Sequence, residues 1–129
     1  MAKQMTMSYS YKPVFIRAFL DSMSEDGTAR LEDIVQEFAA FYEDRIEHGL
    51  QAELKPCIFT KGGYTDKDVE KLILSMPFKR FEDMGFMHHT RNLGIVQLDR
   101  NIVKYLNEKD IADIRQFCDK ALLNYFKRK

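Results

Sequence analysis

Cysteine is scarce in this chain. Cys57 and Cys118 are the only two in 129 residues, far apart and without paired metal-ligand or CxxC spacing, so both read as reduced, packed thiols. No run of about 18 apolar residues occurs, which argues against a transmembrane helix. Net charge is also missing, the 20 Lys and Arg matching the 20 Asp and Glu. The simplest argument for a nucleic-acid partner therefore fails. The N-terminus lacks the apolar stretch of a signal peptide, and a cytoplasmic location is expected. There is no internal repeat or low-complexity tract, and no G-x-S-x-G motif marks a nucleophile.

What is present is enough for one core. The hydrophobic fraction is 45%, with 10 Phe and 6 Tyr, and a chain of this length can fold as one domain without disulfides or metal. Residues 1–10 are polar and Met-rich without a clear period, and read as a flexible lead-in to a single domain over 11–129.

Charge is unevenly distributed. Residues 24–56 hold nine acids against three bases, a balance that repels a phosphate backbone. Residues 61–104 hold eight bases against six acids, and residues 120–129 hold four bases and no acid. The chain is acidic early and mildly basic late.

Helical spacing of Val14, Phe15, Ala18, Phe19 and Met23, with Pro13 in the first turn, predicts a helix over about 12–23. Gly27 breaks it, and residues 28–31 can form a short strand. Leu31, Ile34, Val35, Phe38, Phe41, Tyr42 and Ile46 mark a second helix to about His48, with Gly49 as its C-terminal stop. Residues 51–63 read as a loop that carries Ile58 and Phe59 against the body. Thr65 and Asp68 signal a third helix, ending or kinking at Met76 because Pro77 follows. One more turn is expected at Phe78, Phe81 and Met84. Residues 84–90 and 93–98 alternate as strands, with Arg91 and Asn92 at the tip. A short helix near 100–106 and a longer one from Glu108 to Phe126 complete the chain. The buried face of the last is expected at Ile111, Ile114, Phe117, Cys118, Ala121, Leu122 and Tyr125.

This order, with two helices followed by a third helix and a hairpin, predicts a mainly α, winged-helix-like domain with one small β-hairpin and additional C-terminal helices. The fold points to binding rather than catalysis, and no catalytic residue is assigned. His88 and His89 are strand neighbours and point to opposite faces, so they do not chelate one ion; no metal or cofactor is expected. Lys61 with Gly62 and Gly63 lacks the spacing of a phosphate-binding loop. The candidate nucleic-acid contacts are Lys67, Lys71, Lys79, Arg80 and Arg91, on the third helix, the turn after it and the hairpin tip. The alternative is an ordinary solvated face, because Asp66, Asp68 and Glu70 share that helix. Tyr9, Tyr11, Phe15 and Phe19 read mainly as core, the alternative being that Tyr9 and Tyr11 belong to a face that docks on a neighbouring domain.

Three runs, 8–15 (SYSYKPVF), 38–50 (FAAFYEDRIEHGL) and 74–86 (LSMPFKRFEDMGF), resemble a helical module in the C-terminal part of bacterial DEAD/DEAH-type helicases found in restriction and phage-defence settings. The resemblance spans about residues 8–126 and rests on structural rather than catalytic motifs. It implies a noncatalytic accessory domain beside a helicase motor or nuclease, engaging duplex DNA or holding the parts together. This chain has no Walker A motif and no DEAD or DEAH box, so motor activity does not carry over. The competing expectation is a protein-interaction or homodimerisation module, with the final helix and aromatic N-terminus as its docking face.

Overall fold

The computed structural model describes residues 9–127. Helices α1 (Tyr11–Ser22), α2 (Leu31–Glu47), α3 (Ile58–Lys61), α4 (Asp66–Ser75), α5 (Pro77–Asp83), α6 (Arg100–Val103) and α7 (Glu108–Phe126) accompany strands β1 (Thr28–Arg30), β2 (Met87–Thr90) and β3 (Ile95–Leu98). The chain is thus mainly helical with a small antiparallel sheet. Among the described residues no helix is long and apolar enough to cross a membrane.

The sheet has the order β1-β3-β2. It extends the expected hairpin, because β1 leaves its sequence neighbours and pairs with β3, aligning Ala29 with Val96 while His89 aligns with Val96 from the other side. Strand alternation puts Ala29, Val96 and His89 on the inner face and Thr28, Gln97 and His88 on the outer one. Met84 to Phe86, expected in the first hairpin strand, instead form the turn after α5. Gly85 takes φ +77° there, a conformation that interrupts a strand.

Apolar spacing sets the helical core. Phe15 and Phe19 on α1, with Ile34, Phe38 and Tyr42 on α2, are fully buried. Phe15 also meets Phe81 on α5, with ring centroids 5.9 Å apart. Pro77 behaves as its chemistry requires. Helix α4 stops at Ser75, Met76 leaves helical geometry at φ −122° and ψ −84°, and α5 restarts with Pro77 in its first turn. On α7, Cys118, Leu122 and Tyr125 are buried, but Phe117 is 40% exposed. Each helical residue turns by about 100°, which carries Phe117 off the Cys118–Leu122–Tyr125 line.

The expected loop after α2 contains α3, whose Phe59 ring stacks on Tyr42 at 4.5 Å. Within that connection Glu53 is a buried carboxylate, 3% exposed. The Ser10 hydroxyl and backbone N–H donate to its Oε2 at 2.6 and 2.8 Å, while the Leu54 N–H donates to Oε1 at 2.8 Å. The Tyr125 hydroxyl donates to Oε1 as well. With the Ser10 proton committed to Glu53, the Tyr42 hydroxyl donates to Ser10 Oγ at 2.8 Å. Burial and the neighbouring Glu53 charge raise the Tyr42 phenol well above its ordinary value, so it stays a donor.

Most of the expected lead-in, residues 1–8, lies outside the described residues. Its last two positions belong to the body: Ser10 is buried in the Glu53 network, and Tyr9 stacks on Tyr11 at 4.8 Å. Tyr11 is itself buried against Phe38 and Tyr42.

Candidate nucleic-acid interface

Helix α4 starts with a reciprocal cap. Thr65 accepts from the Asp68 N–H at 3.3 Å and Asp68 accepts from the Thr65 N–H at 2.9 Å, satisfying two helix-end donors. Burial of Val69 and Ile73 fixes the helix's rotation. Lys67 and Lys71 consequently face outward, one turn apart, along a shallow groove of about 390 Å³ that also includes Asp68, Glu70 and Leu74. Asp66 is occupied elsewhere, accepting from Gln36 Nε2 at 3.2 Å.

Helix α5 packs against both α4 and β2, joining the α4 face to the hairpin. Its buried Pro77 and Phe78 leave Lys79 and Arg80 exposed. These two differ in availability. Lys79 Nζ is 3.0 Å from Asp83 and 3.8 Å from Glu82; the Asp83 hydrogen bond and charge raise its pKa above the ordinary lysine value. Among the described residues Arg80 has no ion-pair partner.

At the hairpin tip a single 3₁₀ turn, Arg91–Leu93, is closed by Gly94 at φ +63°. This left-handed conformation favours glycine. Arg91 is exposed, as is Leu93 at 68%. At the hairpin base, His88 Nε2 lies 2.8 Å from Asp99 Oδ1, and that hydrogen bond holds the Asp99 carboxyl below its usual range. His89 points inward, its ring 6.0 Å from that of Phe78. Among the described residues no three His, Cys, Asp or Glu side chains are grouped to hold a metal ion.

The candidate bases therefore occupy three successive elements, with Lys67 and Lys71 sharing a groove and Lys79, Arg80 and Arg91 outside it. Asp66, Asp68, Glu70, Glu82 and Asp83 lie on the same helices. The bases accordingly do not form a patch of one sign; of those acids, Glu82 and Asp83 are paired with a cation, Lys79.

Sequence pattern alone missed two features. The Glu53 network is one; nothing in the spacing separates Glu53 from its solvated acidic neighbours. The other is an open groove of about 480 Å³ between α1 and α2, where Asp21, Glu37, Glu43, Asp44 and Glu47 outnumber Arg17. Its floor includes Ala18 and Phe41. The acidic excess of residues 24–56 was the available signal for this surface. Comparison with family models, curated proteins and solved structures returned no match.

Proposed function

We propose that the chain is a noncatalytic winged-helix domain that binds nucleic acid, with duplex DNA as its ligand. The observation that carries this reading is the strand order. A strand between α1 and α2 joins the hairpin that follows α4 and α5, giving the sheet β1-β3-β2. In a winged helix that arrangement sets a groove-entering helix beside a hairpin that meets the backbone. Here α4 carries Lys67 and Lys71, and the hairpin tip carries Arg91.

In this reading Lys67, Lys71, Arg80 and Arg91 contact phosphates, and Lys79 contributes less because Asp83 holds its ammonium. The proposed setting is a larger bacterial helicase or restriction system, in which another segment performs the chemistry. Anisotropy titration with labelled duplex DNA at low salt tests the reading. Half-saturation at or below about 100 μM is expected, and its absence sinks the proposal, since non-specific binders reach about 10⁻⁴ to 10⁻⁶ M.

A protein-interaction role is the second reading. It is favoured by the acids on α4 and α5 and by the acidic groove with an aromatic floor. A concentration-dependent dimer in light scattering that ignores DNA is the outcome that supports it.

A further inference from the structure

A third groove lies on the β1 edge of the sheet, across β3 from the strand that packs on α5. It is an open groove of about 710 Å³ whose polar lining is Thr28, Gln97, Arg100, Asn101, Lys104 and Asp26. Arg100 and Lys104 are separated by one helical turn and are exposed. Among the described residues neither has an ion-pair partner.

The cleft is supported from both sides although α6 has only four residues. Asp99 accepts from the Asn101 N–H at 3.1 Å, and its own N–H donates to the Phe86 carbonyl at 2.8 Å. On the other side, Gly27 has φ +80°, and a Cβ there would come within 2.6 Å of Val103 Cγ2. Only a residue without a side chain lets α6 approach the turn this closely. The Gly27 carbonyl also accepts from the Leu98 N–H at 2.9 Å. These contacts fix the segment from which the two cationic side chains project.

Asp26 is part of the lining and Asp99 lies beside it, and both are held by hydrogen bonds. Asp26 accepts from the Ser24 hydroxyl and from the Thr28 N–H at 3.1 Å, which lowers its carboxyl pKa. Asp99 is held by His88 and the Asn101 N–H. A ligand also meets an Arg fork, a Lys ammonium, the Gln97 and Asn101 amides, the Thr28 hydroxyl and apolar Leu98 and Val103, so two cations face the one carboxylate in the lining. Guanidinium and ammonium groups flanked by neutral donors match the charge and multiple acceptors of a phosphate.

We propose that the cleft between β1 and α6 is a phosphate-binding site, with Arg100 and Lys104 neutralising the anion and Gln97 and Asn101 donating hydrogen bonds. The site is separate from the α4, α5 and hairpin-tip contacts and does not rest on DNA binding by them. Its ligand is a phosphate group, supplied either by a free phosphorylated molecule or by a nucleic-acid backbone.

The test is a set of NMR titrations of the whole chain with inorganic pyrophosphate, a 5′-phosphorylated dinucleotide and duplex DNA. Saturable amide shifts at Gln97, Arg100, Asn101 and Lys104, with half-saturation below about 1 mM for at least one probe, are expected. Arg100→Gln combined with Lys104→Gln should remove them while leaving the remaining spectrum folded. Saturation by pyrophosphate or the dinucleotide identifies a free-ligand site; saturation by duplex alone identifies a backbone contact. No saturable shift with any probe overturns the proposal, as does retention of the shifts in the folded double variant. Duplex-induced shifts confined to α4 and the hairpin tip, with no saturable shift at the cleft from pyrophosphate or the dinucleotide, overturn this site while leaving the functional reading intact.

Discussion

The Glu53 carboxylate accepts the Ser10 hydroxyl at 2.6 Å across 43 residues of sequence. Through Tyr125 it also reaches α7, so one buried acid joins the start of α1, the connection after α2 and the last helix. Replacing it leaves several buried donors without an acceptor. Glu53→Ala should cost about 3 kcal/mol and Glu53→Gln about 2 kcal/mol, since one amide end presents a donor to existing donors. Urea unfolding reads both, and unchanged midpoints would show that the network does not hold the fold together.

The Gly27 approach to Val103 makes a second stability prediction. Gly27→Ala combines an unfavourable left-handed backbone with a Cβ 2.6 Å from Val103 Cγ2, and should destabilise by about 1–3 kcal/mol. Amide shifts should spread over α6. A variant as stable as the parent, with α6 resonances unmoved, would show that the contact is not restrictive.

The His88–Asp99 pair predicts a specific acid titration. Because its pKa is depressed in the folded chain, the Asp99 contribution to stability is full above an unfolded value of about 4 and fades as pH falls through the lower folded value. His88→Ala should move the Asp99 carboxyl midpoint upward toward an ordinary aspartate, measured by carbon-detected NMR. No movement would mean that the pair is open in solution.

The two thiols should resist thiol–disulfide exchange. Cys118 is fully buried, and desolvation pushes its thiol up to about 11; little thiolate exists at pH 8. Cys57 is also buried, with its sulfur 3.3 Å from Thr60 Oγ1. A disulfide-exchange reagent should react slowly with both until urea unfolds the chain. Rapid native labelling would contradict this packing.

Local chemistry made several elements legible. Pro77 after Met76 marked the break between α4 and α5, and apolar spacing from Glu108 to Phe126 matched α7 end to end. Pairing of β1 with β3 was not legible, because three residues, Thr28–Arg30, have no period long enough to name a partner 65 or more positions away. Helix α3 was missed for the same reason: four residues between Cys57 and Gly62 form one turn without a stripe. The exposed bases and the acids that share α4 were visible as residue types, but the ion pair of Lys79 with Asp83 and the lack of an ion-pair partner for Arg80 among the described residues needed three dimensions.

Those pairs direct the most direct test of the proposed interface. A labelled duplex should be titrated at several salt concentrations with the parent chain, with Lys67→Glu plus Lys71→Glu, and with Arg80→Glu plus Arg91→Glu. An interface built on these bases predicts parent binding that weakens with salt, loss of affinity in both double variants, and a salt slope reduced by about 0.9 for each phosphate contact removed. Equal binding by all three folded proteins, or no binding by the parent at low salt, would contradict it.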